Sequence, residues 1–243
     1  MISIAIICKN EERIIEKCLN QAKKLADEII VVDSGSTDKT PEIAKKFDLK
    51  FVYQDWLGYS AQKNFALSLC TQPWVLSLDA DEVLTDELIN EIKSLDLSEN
   101  SAYKIPRKLF VGKRFIRWGG YYPDYQLRLV LKNQARFNDR PVHESLILSD
   151  SAKDYPVIKL KYAINHYSYE TIKDLEKAFD KYALLARKES SLFAAIIKSA
   201  FCFFNKFFIQ LGCLEGSLGL ALAGVHTKYT FKKYFWLSDA KQA

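Results

Sequence analysis

Trp74-Val75-Leu76-Ser77-Leu78-Asp79-Ala80-Asp81-Glu82 is an apolar run of strand length that ends abruptly in three carboxylates. A continuous apolar run this short suits a strand buried on both faces of a sheet. Two carboxylates at i and i+2 on extended chain point to one side. Holding like charges that close costs free energy unless a cation neutralises them. Oxygen ligands of this kind suit Mg²⁺ or Mn²⁺, with diphosphate oxygens completing the shell. Taken alone, an Asp-x-Asp is more often a solvated turn ahead of a helix, and Thr85-Asp86-Glu87 does look like a helix start. The upstream sequence reverses that balance.

Working back towards the N-terminus, the chain alternates between two periods. Ile2–Cys8 and Glu28–Asp33 are two more buried runs, and Lys50–Gln54 is a shorter one. Between them, Ile14, Ile15, Cys18, Ala22 and Leu25 form an apolar stripe at helical spacing, with Asn10 read as the N-cap. Thr40-Pro41-Glu42 opens a second helix, and residues 60–69 read as a third. Strand and helix in alternation predict right-handed βαβ units and an open, mostly parallel α/β sheet with flanking helices. Such sheets bind ligands at the carboxyl ends of their strands. Asn10, Glu11, Asp33, Asp79 and Asp81 all fall just past strand ends. Neither GxGxxG nor GxxxxGK[ST] occurs, which counts against a dinucleotide oxidoreductase and a P-loop enzyme. A nucleotide diphosphate would then need a metal to hold its phosphates.

Downstream the character changes. Residues 102–164 read as shorter β segments, and Lys104, Arg107, Lys108, Lys113, Arg114 and Arg117 follow one another with no acid among them. From Thr171 to about Trp236 the pattern is helical. Of 243 residues, 49% are hydrophobic and 27% charged, a globular composition. The net charge of +5 lies wholly in residues 187–243, which hold eight basic and three acidic side chains, while residues 1–186 are neutral. A neutral body argues against nucleic-acid binding. Five cysteines without a CxxC pair suit a reducing compartment. The first residues lack the basic region of a signal peptide, and no 18-residue apolar span is free of charge, so no spanning helix is expected.

Residues 3–12 (Ser-Ile-Ala-Ile-Ile-Cys-Lys-Asn-Glu-Glu), 31–38 (Val-Val-Asp-Ser-Gly-Ser-Thr-Asp) and 78–82 (Leu-Asp-Ala-Asp-Glu) resemble the successive signatures of family 2 glycosyltransferases of the GT-A fold. Residues 118–129, 135–144 and 166–169 resemble those of the lipopolysaccharide inner-core β-1,4-glucosyltransferase subgroup. Cys8-Lys9 departs from the small polar residue and Tyr that many members carry there.

The resemblance implies that Asn10 and Glu11 meet the nucleotide and that Asp33 contacts the uracil, an ordinary turn-forming aspartate being the alternative for Asp33. It places Lys63 and Asn64 beneath the donor, Asp79 near the ribose and Asp81 on the metal, Mg²⁺ or Mn²⁺. His166 would be a further metal ligand, with a structural histidine as the bland alternative. By its own chemistry Arg128 would pair with the departing diphosphate, with a sheet-edge ion pair as the alternative. An inverting transfer needs a base for the acceptor hydroxyl, for which Glu144 is the first choice and Asp124 the second; His143 is a positioning or core histidine.

Three regions are thus expected: a donor-binding half over 1–100, an acceptor-binding and catalytic half over 101–170, and a helical, aromatic, basic extension over 171–243. Arg107, Lys108, Arg114 and Arg117 would receive an acidic acceptor, with a solvated hairpin as the alternative. In the extension, six phenylalanines with Lys198 and Lys206 between Leu192 and Leu211 suit a helix lying in an anionic membrane interface. Packing on protein is the alternative, and the GxxxG spacing of Gly212 and Gly216 is weak evidence. The whole reads as a metal-dependent inverting enzyme moving a hexose, glucose by the resemblance, from a UDP-sugar to a lipid-linked saccharide at the cytoplasmic face of the inner membrane. A sugar nucleotidyltransferase and a non-catalytic nucleotide-sugar sensor are the rivals.

Overall fold

The computed structural model describes residues 1–98, 101–138, 144–186, 188 and 190–235. His143, Arg187 and Trp236 lie outside them. The chain forms two compact units, residues 1–108 with 124–168 and residues 109–123 with 169–243.

The first unit opens with β1 (Ile2–Cys8), α1 (Ile15–Ala22), β2 (Glu28–Asp33), α2 (Thr40–Ala44), β3 (Lys50–Tyr53), α3 (Tyr59–Ser68) and β4 (Trp74–Asp79). Strands β3, β2, β1 and β4 lie side by side and parallel. Both faces are covered, which is why the runs are continuously apolar. Ile4, Ile6, Val31, Leu76 and Leu78 pack with Ile15, Cys18 and Leu19 of α1, while Ala5, Ile30, Val32 and Val75 pack with Ala66 and Cys70 at α3. Register pairs Cys8 with Asp33 and Ile7 with Asp79, so both carboxylates emerge at one edge.

The chain continues through β5 (Glu82–Leu84), α4 (Asp86–Lys93), β6 (Ala102–Val111), β7 (Arg114–Phe115), β8 (Asp124–Leu131), β9 (Ala135–Phe137), β10 (Leu146–Leu148), β11 (Val157–Lys159) and β12 (Ile164–Tyr169). Thr85 caps α4 by accepting the Leu88 N–H, as its position suggests. The sheet order is β3-β2-β1-β4-β8-β6-β12-β5, antiparallel beyond β4 where β8 pairs with it. A parallel half is thus joined to a mixed half, the mostly parallel α/β sheet with flanking helices that the sequence predicts.

One local expectation is corrected. Asn10 is not the N-cap of α1, which starts five residues later at Ile15. Asn10 instead adopts a left-handed φ of 57°, a conformation that Asn tolerates better than most residues. Its N–H donates to Ser36 Oγ at 2.8 Å and its Oδ1 accepts the Thr37 N–H at 2.8 Å, tying the loop after β1 to the loop after β2.

The second unit holds the excursion between β6 and β8 and three helices: α5 (Ile172–Leu185), α6 (Leu192–Phe204) and α7 (Ser217–Tyr234). A reciprocal Thr171–Asp174 capping box starts α5. Gly212 and Gly219 allow the turn before α7 to lie against it, since a Cβ on Gly219 would stand 1.8 Å from the Gly212 carbonyl oxygen. Two of the three lysines of α7 are ion-paired, Lys228 with Glu176 at 2.6 Å and Lys232 with Asp180 at 2.7 Å. Helix α6 continues in a π-helical turn to Ile209. By length and composition Leu192–Ile209 could cross a membrane despite its two lysines, and only 11% of it is buried.

Candidate active site

At the carboxyl edge of the parallel strands, seven charged side chains alternate in sign along one continuous chain. Glu144 Oε1 lies 3.0 Å from Lys63 Nζ, which lies 2.8 Å from Asp79 Oδ1. Asp79 Oδ2 lies 3.0 Å from Arg128 Nη2, which also reaches Glu82 Oε1 at 2.6 Å. Glu82 Oε1 in turn meets Arg107 Nη1 at 3.3 Å, and Arg107 Nε and Nη2 both bind Asp124 Oδ2, at 2.9 and 2.6 Å. The two candidate bases thus terminate the same chain.

Its members come from elements far apart in sequence: Lys63 from α3, Asp79 from the end of β4, Glu82 from β5, Arg107 from β6, Asp124 and Arg128 from β8. Alternation is what permits the burial. Lys63, Arg128 and Glu82 are almost wholly enclosed, and a charge taken from water is tolerable only when paired and hydrogen-bonded. Burial alone would raise the Asp79 carboxyl, but Lys63 and Arg128 outweigh it and hold Asp79 well below the usual carboxylate range. Lys63 is kept cationic in return, Asp79 overcoming the burial.

Asp81 stands apart from the chain. Its Oδ2 accepts the Ser168 hydroxyl at 2.5 Å and lies 3.3 Å from His166 Nε2. The Ser168 hydroxyl also meets His166 Nε2. β12 brings both residues in, with His166 in register with Glu82. Burial opposes both charges, yet the pairing lowers the Asp81 carboxyl and raises the imidazole. Glu11 feels the same acidic cluster: burial first, then the field of Asp81, pushes its carboxyl up to about 7. Among the described residues, no group of three or more His, Cys, Asp or Glu side chains is placed to hold a metal ion. A carboxylate oxygen and an imidazole nitrogen nevertheless converge at Asp81 and His166, two donors that suit a divalent ion sharing its other positions with phosphate oxygens.

The family 2 glycosyl transferase model matches residues 3–157, most of the first unit and its site. The chain is a family 2 glycosyltransferase. Relatives agree: it is 35% identical over 229 residues to an uncharacterized glycosyltransferase of Rickettsia bellii, covering 86% of this chain and 76% of that one. It is 34% identical over 160 residues to the lipopolysaccharide core biosynthesis glycosyltransferase LpsC of Rhizobium meliloti, covering 60% of this chain and 57% of LpsC. A crystal structure of Staphylococcus aureus TarS in complex with UDP shares the fold, with a TM-score of 0.51 at 17% identity, covering 89% of this chain and 75% of that one. The rival expectation of a sugar nucleotidyltransferase gives way to this membership.

Within the glycosyltransferase, several expected roles shift with placement. Arg128 is 4% exposed, with Nη2 spent on Asp79 and Glu82, so it braces Asp79 rather than presenting a free fork to a diphosphate. Arg107 is likewise held by Asp124 and Glu82, which removes it from an exposed acceptor surface. Asn64 anchors β9, exchanging two hydrogen bonds with the Phe137 backbone at 2.8 and 3.1 Å. Asp33 is buried, and its carboxylate accepts the Gly35 and Ser36 N–H groups, so a nucleobase contact competes with its own turn. Lys108 is half-buried on β6, while Arg114 and Arg117 lie in the second unit. Glu82 and Ser168 escaped the sequence reading. For Glu82 the signal was present, a third carboxylate directly after Asp81, but its burial depends on two arginines from distant strands.

Proposed function

We propose that the enzyme transfers a hexose, glucose, with inversion from a UDP-sugar to an acidic, lipid-linked saccharide of the lipopolysaccharide-core class. The observation that carries this reading is the paired geometry at one strand edge. A cation-braced Asp79 and the Asp81–His166 pair lie at the carboxyl edge of the parallel strands, where open α/β sheets take their ligands, and a carboxylate stands at each end of the buried charge chain. LpsC, named for core biosynthesis, supports the acceptor class.

Asp81 and His166 would hold Mg²⁺ or Mn²⁺, which when bound supplies positive charge to the diphosphate leaving group. Metal binding replaces the imidazole proton that Asp81 favours. Lys63 keeps Asp79 ionised and oriented, with Asn10 and Glu11 bordering the same edge. Glu144 takes the acceptor proton: among the described residues its charged partner is Lys63, whereas Asp124 accepts from Arg107 twice and from Gln126 at 2.6 Å. The second unit holds fourteen basic and seven acidic residues by sequence and an exposed aromatic helix, features that suit an anionic membrane surface at the cytoplasmic face of the inner membrane. UDP release should require a sugar donor, an acceptor-containing lipid extract and a divalent ion. It should vanish in Asp81→Ala, and full activity in that variant overturns the reading.

A further inference from the structure

A carboxylate outside the charge chain is also buried: Glu215, 6% exposed, in the second unit. Its Oε1 accepts two successive backbone N–H groups, Arg117 at 2.8 Å and Trp118 at 3.0 Å. Its Oε2 lies 3.0 Å from Arg114 Nη2, which also donates to the Glu215 carbonyl oxygen at 2.9 Å. Two adjacent amides and a guanidinium are the donors a bound phosphate would use; here the protein's own carboxylate fills the place. The turn they belong to is fixed from further sides. Ile116 is fully buried, the Gly119 N–H donates to the Gln210 carbonyl at 2.8 Å, and Lys206 Nζ donates to the Gly119 carbonyl at 3.0 Å. Gly119 and Gly120 take φ of 80° and 76°, which side chains rarely adopt, so this tight turn depends on them.

With its backbone pinned inward, the turn presents its side chains outward. The Arg117 guanidinium is exposed and lies 5.4 Å from the half-buried Trp118 ring. Lys113 and Arg114 are exposed beside them in sequence, and residues 109–123 contain no acid. An indole face suits a sugar ring, and a stacked guanidinium suits a phosphate or carboxylate.

We propose that the turn over residues 113–118 is the acceptor-recognition site, taking an acidic saccharide, and that Glu215 is the positioning residue that holds its shape. This rests on the glycosyltransfer reading above and adds the residues that choose the acceptor. By neutralising Arg114 and occupying the backbone donors, Glu215 leaves Arg117 and Lys113 as the charges that a ligand meets.

The test uses the full chain with core oligosaccharide released from lipopolysaccharide, and with the same material after dephosphorylation and carboxyl reduction. Binding of each is measured by calorimetry, in parallel with UDP-glucose binding and steady-state kinetics. Arg117→Ala and Glu215→Ala should weaken acidic oligosaccharide about tenfold or more, the scale of a lost charge-assisted hydrogen bond. Glu215→Gln, which retains an oxygen for the two amides, should lose less. In all three the acceptor KM rises while kcat at saturating acceptor and UDP-glucose affinity stay within about twofold, and wild type binds the neutralised oligosaccharide about as weakly as Arg117→Ala binds the acidic one. Acidic-oligosaccharide binding unchanged in Arg117→Ala and Glu215→Gln overturns the proposal, as does an equal loss of UDP-glucose binding. Acidic-oligosaccharide binding that behaves as stated, in an enzyme that never releases UDP, would sink the glycosyltransfer reading and leave the site standing.

Discussion

Lys63 is ion-paired at once with Asp79 and with Glu144, the proposed base, so one cation serves both carboxylates. Replacing it with Met leaves Asp79 and Glu144 facing each other without their shared cation. Removing one partner of a buried pair costs about 3–5 kcal/mol, so Lys63→Met should shift the urea midpoint far more than Lys63→Arg. An unchanged midpoint would mean that solvent already screens the pair. The base is tested on the same scale. A positioned general base contributes roughly 10²–10⁴-fold, so Glu144→Gln should lower kcat by at least about 100-fold, and Asp124→Asn by less. The reverse order would hand the role to Asp124. The place of Asp79 and Asp81 at the end of a buried strand was legible from the sequence, because the apolar run before them is local; Glu144 and Asp124 were singled out only through the family resemblance. Which carboxylates engage Arg107 and Arg128 was not legible, since that depends on which strands become neighbours, and antiparallel insertion of β8 beside β4 leaves no local signature; the turn that engages Asp33 is local, made with Gly35 and Ser36.

Elements were legible where their burial pattern is local. The parallel strands had to be continuous apolar runs because helices cover both faces, whereas β5 and β12 are partly polar and defined by pairing, β12 with β6 and with β5. The loop after β1 shows the limit from the other side: Asn10 has an N-cap's composition but is recruited by the next loop, which holds it at positive φ. Packing of α5 against α7 makes a prediction of its own. His226 lies 4.8 Å from the Phe179 ring and 2.9 Å from the Tyr121 hydroxyl. Burial first, then Lys206, lowers its imidazole from 6.5 to about 4. The folded form therefore resists protonation more than the unfolded chain does. The neutral ring's contribution is complete above the unfolded value and declines as pH falls from 6.5 towards 4. Melting temperature should drop over that interval in wild type and drop less in His226→Gln; identical pH slopes in the two proteins would refute the assignment.

At the scale of the whole molecule, the mild net charge divides unevenly. The second unit has an excess of seven basic residues by sequence and the first a small acidic excess. Pairing of two of the α7 lysines with α5 consumes part of the positive charge, so electrostatics alone would give weak adhesion. The apolar component is α6, where Phe193, Ile196, Ile197, Phe201 and Phe204 are exposed at helical spacing and Phe208 extends the row into the π turn. Ala195 and Ser199 are buried on the same helix, so its wet side is the greasier one. An interfacial helix and a spanning helix both satisfy this pattern, and they separate by extraction. Bound at the interface, the protein should sediment with vesicles containing anionic lipid, bind less in high salt, and be released by alkaline carbonate. Phe201→Glu with Phe204→Glu should weaken vesicle binding by more than about tenfold, since each buried aromatic contributes about 1.5–3 kcal/mol. Resistance to carbonate would reassign Leu192–Ile209 as a span. Undiminished vesicle binding by the double variant would remove α6 from the interface and leave the basic surface as the sole contact.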